Sequence, residues 1–126
     1  MIEAGLQIIN DSLKSVGINY AFMEWKGKPV YPYFVGEYQE IEPPDESGLQ
    51  ETNFILDGFT RGRWEELEQA KNKIKSLFPK VVGKVVIAED GSAVAIFYAN
   101  SLVVPTGDAE LKKIQINLVI KEWSVN

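Results

Sequence analysis

Phe54-Ile55-Leu56-Asp57-Gly58-Phe59-Thr60-Arg61-Gly62-Arg63-Trp64-Glu65-Glu66-Leu67-Glu68 decides the fold, because the hydrophobic period changes inside it. Over residues 51–61 the period is two: Phe54, Leu56 and Gly58 fall on one side, Ile55, Asp57 and Phe59 on the other. That is the pattern of a strand. From Trp64 the spacing is helical, with Trp64, Leu67, Ile74, Leu77 and Phe78 on one stripe and Pro79 at the end. Glu65, Glu66 and Glu68 precede Lys71, Lys73 and Lys75, an order that complements the helix dipole.

Towards the N-terminus, Leu6, Ile9, Leu13 and Val16 have the spacing of one helical face, and Gly17 stops it. Tyr20–Trp25 and Val30–Tyr38 are aromatic-rich runs separated by Lys26-Gly27-Lys28-Pro29, which predicts a hairpin. Pro32 cannot donate to a ladder, so the second run is expected to start at a sheet edge or a bulge. Residues 39–50, through Pro43-Pro44-Asp45-Glu46-Ser47-Gly48, read as a loop.

Towards the C-terminus, Lys84–Ala88 and Ala93–Tyr98 flank an Asp90-Gly91 hairpin signal. Leu102–Val104 reads as a short separate strand ended by Pro105-Thr106-Gly107-Asp108. Leu111–Trp123 reads as a long one, with Ile114, Ile116, Leu118 and Ile120 alternating against polar residues. The expectation is a single α+β domain over residues 1–126, two helices packed on a mainly antiparallel, mixed sheet.

Composition narrows the chemistry. The chain has 126 residues and a net charge of -5, and it contains neither cysteine nor histidine. Disulfides, thiolate metal sites, thiol nucleophiles, catalytic triads and histidine proton shuttles are therefore excluded. An acidic chain is a poor general partner for nucleic acid, and no apolar run is long enough for a membrane span. The opening residues lack the basic start of a signal peptide, so folding in a cytoplasm is expected.

Acids are abundant in one place. Glu37, Glu40, Glu42, Asp45, Glu46 and Glu51 lie within residues 37–51 with no base among them. Paired carboxylates could serve a hydrolase, and several could hold calcium or magnesium. Their spacing around a Pro-Pro loop matches no organised ion loop, so a solvated or partner-facing segment is the leading reading. Gly58–Arg63 sits where a phosphate-binding turn would, yet it lacks a P-loop ending and precedes Glu65 and Glu66. Tyr33–Tyr38 also has no basic flank to make it an RNA-binding strand.

Residues 61–84 carry seven bases against three acids, a balance of +4, while residues 37–51 carry -6. Such a split suits head-to-tail assembly, in which the acidic patch of one copy meets the basic patch of the next. Tyr31–Tyr38, Phe54–Glu68 and Pro105–Leu118, in that order, resemble the small tail-terminator or tail-completion proteins of the head–tail joining region of tailed bacteriophages and Gram-positive prophages. The resemblance implies a structural protein, not an enzyme, with no cofactor. Its subunits would form a hexameric ring that caps the tail tube and meets the head connector. It also implies assembly in a bacterial host cytoplasm and a place at the virion's head–tail junction.

Self, tail-tube protein and connector are the implied partners, without nucleic acid or membrane. Glu37, Glu40, Glu42, Asp45, Glu46, Arg61, Arg63 and Asp108 are the candidate interface residues, with loops 39–50 and 100–110 as the candidate contact segments. Another small head–tail connector or minor capsid protein, a carboxylate-based metal-binding or hydrolytic domain, and a peptide-binding module using the strand edge near Tyr31–Tyr38 are the alternatives. Trp25, Tyr38 and Trp123 are the aromatics expected outside the core.

Overall fold

The strictest alternation in the sequence builds the centre of the sheet. Strands β3 (Leu49–Thr60) and β6 (Lys112–Trp123) pair antiparallel over twelve residues each, from Leu49 opposite Trp123 to Thr60 opposite Lys112. The computed structural model describes residues 3–41 and 48–124. Its other elements are α1 (Glu3–Ser15), β1 (Asn19–Phe22), β2 (Tyr33–Glu40), α2 (Trp64–Leu77), β4 (Lys84–Ile87) and β5 (Ala93–Val104). One six-stranded mixed sheet has the order β1-β2-β3-β6-β5-β4. The α+β reading of the sequence is correct.

One sheet face is the core face. It buries Phe34, Phe54, Leu56, Ile96, Ile114, Ile116, Leu118 and Ile120 against Ile9 and Leu13 of α1 and Leu67, Ala70, Ile74 and Phe78 of the α2 region. Each fully buried side chain of this size contributes roughly 1.5–3 kcal/mol. Gly58 is small because Phe34 occupies its space: a Cβ there would stand 2.3 Å from the ring. The α1 helix ends in a Schellman turn, in which Gly17 (φ 77°) donates to the Lys14 carbonyl and Ile18 to that of Leu13.

The sheet curls around α1. On one flank of this helix Leu6 lies beside Tyr20 and Phe22, and on the other the Ser12 hydroxyl meets Lys84 Nζ at 2.8 Å. Both terminal strands thus approach the same helix. Among the described residues both helices pack on this one core face.

Four expectations need correction. The aromatic runs do not form a hairpin, because β1 pairs parallel to β2, Asn19 opposite Tyr33 through Phe22 opposite Gly36. Parallel pairing requires the chain to return to the same end of the sheet, and residues 23–32 make that return. Met23 (φ 71°) breaks the first run, and the Trp25 indole donates to the Lys28 carbonyl at 3.1 Å.

Leu102–Val104 is not a separate strand either. β5 runs on to Val104 through an irregularity between Tyr98 and Asn100. The polar Asn100 at this break accepts a hydrogen bond from Asn117 at 2.7 Å, so a side-chain contact bridges what the sequence presents as a turn. Half of the presumed loop 100–110 is consequently strand, and residues 39–40 and 49–50 of the other presumed loop are strand too. Finally, Trp64 leaves the helix's buried stripe. It stands exposed in the first turn, and Ala70 takes its place in the buried set.

Candidate assembly interface

Arg61, Gly62 and Arg63 form the connection from β3 into α2, and their geometry follows from capping. Glu66 reaches back so that its Oε1 accepts from the Arg63 amide at 2.7 Å, satisfying a donor at the helix start. Gly62 leaves room for that carboxylate, since a Cβ there would meet Glu66 Oε1 at 1.9 Å. Lys112 Nζ donates to the Gly62 carbonyl at 2.8 Å.

Arg61 and Asp108 are far apart in sequence, and the fold joins them at 3.2 Å. Hydrogen bonding to Tyr31 and then to Asp108 holds the exposed Arg61 guanidinium above its ordinary pKa. The Glu110 amide, and after it Arg61, keeps the Asp108 carboxyl below the usual carboxylate range. Arg63 is exposed and lies 3.6 Å from Glu65. Both arginines therefore face acids of their own chain.

Glu37 and Glu40 are exposed on the outer half of β2. Glu51 lies 3.8 Å from Lys121 across the ladder. Glu42, Asp45 and Glu46 lie outside the described residues. No group of three or more acids among the described residues is arranged to hold a metal ion, and no helix among them is long and apolar enough to cross a membrane.

Glu40 stands opposite Thr52, and Arg61 follows Thr60. At about 3.3 Å per residue the two lie roughly 30 Å apart along β3. That exceeds the Debye length of about 8 Å at physiological salt several-fold. The acidic and arginine ends of the sheet thus act independently within one copy.

A second distribution is not evident from charge. Fifteen large apolar side chains are exposed among the described residues. Val81, Val82, Val85, Val86, Ile87, Leu102 and Val103 lie on β4, β5 and the turn before β4. Phe22, Met23, Val30, Tyr31, Tyr38 and Ile41 lie on β1, β2 and the segments beside them. The remaining two are Trp64 and Trp123. Of the three aromatics expected outside, Tyr38 and Trp123 are exposed, while Trp25 is half-buried with its ring 5.1 Å from that of Tyr33. Exposed apolar surface therefore concentrates at the two sheet edges and is absent from β3.

The sequence did carry a signal for one edge. Residues 91–107 contain no charged side chain, a run of seventeen. Natural edges are usually blunted by charge, proline or coverage. Lys84, on β4, directs its ammonium inward to Ser12.

No family model and no curated protein matches this sequence. The fold itself has a counterpart. A chain of the virion of a native gene transfer agent (GTA) particle superposes with a TM-score of 0.68 at 11% sequence identity. The match covers 94% of this chain and 91% of that one, so the shared fold extends over nearly the whole of both.

Proposed function

We propose that this chain is a non-enzymatic structural protein of a phage-like particle that terminates the tail tube and helps join tail to head, assembling as a hexameric ring. The observation that carries the reading is the near full-length fold likeness to a chain of a GTA virion. The sequence resemblance to tail terminators narrows the role. Exposed apolar side chains at two separate edges suit a subunit that meets two neighbours. Tail tube and head connector are the further partners, and the virion's head–tail junction, reached from the host cytoplasm, is the proposed location.

Electron microscopy of particles produced without this chain tests the role. A terminator leaves tails of uncontrolled length when it is removed. A connector of the head side leaves uniform tails that fail to join heads, and that outcome would replace termination by the connector role. Uniform tails joined normally to heads would refute both.

A further inference from the structure

We infer that the β4–β5 edge of one copy docks on the β1–β2 edge of a second copy, in a head-to-tail contact between an aliphatic and an aromatic surface. The inference rests on the ring reading and supplies the surfaces that such a ring would use.

The two edges differ in chemistry. On β4, β5 and the turn before β4 the exposed large apolar side chains are aliphatic, with Val82, Ile87, Leu102 and Val103 among them. At the opposite edge they are mainly aromatic or sulfur-bearing: Phe22, Met23 and Tyr38, with the Phe22 and Tyr38 rings stacked at 6.0 Å. Aromatic side chains set against β-branched ones are favourable pairs between strands. Pairing like with like forgoes these aromatic–β-branched pairs. Docking unlike edges covers both.

Backbone geometry points the same way. β4 is four residues long and pairs only with Ala93–Ile96, and the Phe78 carbonyl takes the Tyr98 amide. From Asn100 to Val104 no strand among the described residues pairs with the outer edge of β5. An uncharged edge of this kind is a template for another chain unless something covers it. A contact between unlike surfaces propagates head to tail, into a ring or a filament.

Two lysine substitutions test this without any assumption about distances. Met23→Lys damages only the aromatic edge and Val103→Lys only the aliphatic edge; the two positions are 61% and 57% exposed. Circular dichroism should show both variants folded as wild type. In sedimentation velocity at up to about 1 mM, where even contacts of some -4 kcal/mol are half-populated, wild type should form species larger than a dimer. Each variant alone should remain monomeric.

Mixed together, the two variants retain one intact junction and should form a dimer and nothing larger. A monomeric wild type, a variant that assembles alone, or a mixture that stays monomeric would each overturn the inference. Dimerisation of Met23→Lys alone would assign the aliphatic edge to a symmetric contact instead. This result is independent of tail length, so the edge contact and the terminator role can fail separately.

Discussion

The centre and the edges of the sheet are built from similar residue types and put them to opposite use. In β3 and β6 burial alternates residue by residue, and the inward apolar set is sealed beneath two helices. At the edges, Val, Ile, Leu, Phe and Met side chains stand exposed to solvent. The lesson is that hydrophobicity by itself does not distinguish core from interface. Position in the strand order does.

The contrast breaks most severely if the centre is altered. Phe54→Ala should lower unfolding free energy by about 3–5 kcal/mol, read from urea titration, because the ring is fully buried. A change below about 1 kcal/mol would show that the centre can relax like an edge. Gly58→Ala comes next, at about 1–3 kcal/mol, since the added methyl overlaps the Phe34 ring. Glu66→Ala should cost about 1 kcal/mol by removing the acceptor of the Arg63 amide, and Glu66→Gln should restore most of it.

At the edge the stability effects shrink while the assembly effects grow. Val103→Lys should leave unfolding free energy within about 0.5 kcal/mol of wild type, as exposed sites usually do. The smallest effect is expected from Arg61→Glu combined with Arg63→Glu. Both side chains are exposed, so setting a second carboxylate beside Asp108 and beside Glu65 should lower the denaturation midpoint only slightly. Assembly should weaken at low ionic strength and recover as salt rises. A salt-independent loss would place the arginines inside the contact itself.

Much of this was legible in the sequence, and the reason is locality. The change of period across Thr60–Trp64 needs no partner to be read, nor does the Asp90-Gly91 hairpin or the alternation of Ile114, Ile116, Leu118 and Ile120. β1 was misread because parallel pairing depends on where a ten-residue return delivers the chain, which no spacing encodes. β5 was split because Asn100 and Ser101 look like a turn until Asn117 stands opposite to bond with Asn100.

The candidate site was legible in part. Of the 37–51 acids, Glu40 stands roughly 30 Å along β3 from Arg61, while Glu42, Asp45 and Glu46 lie outside the described residues. The Arg61–Asp108 pair depends on the fold bringing two loops together, so both residues could be named but not joined. The apolar edges went unread because exposure follows strand order, and β4 next to β5 at the margin is a property of the whole sheet.

The most direct test of the account is the tail-length distribution of particles assembled with the Val103→Lys chain in place of wild type. The account predicts a folded, soluble protein and tails of broadly scattered length, because the ring cannot close without its aliphatic edge. Tails as uniform as those made with wild type would contradict it.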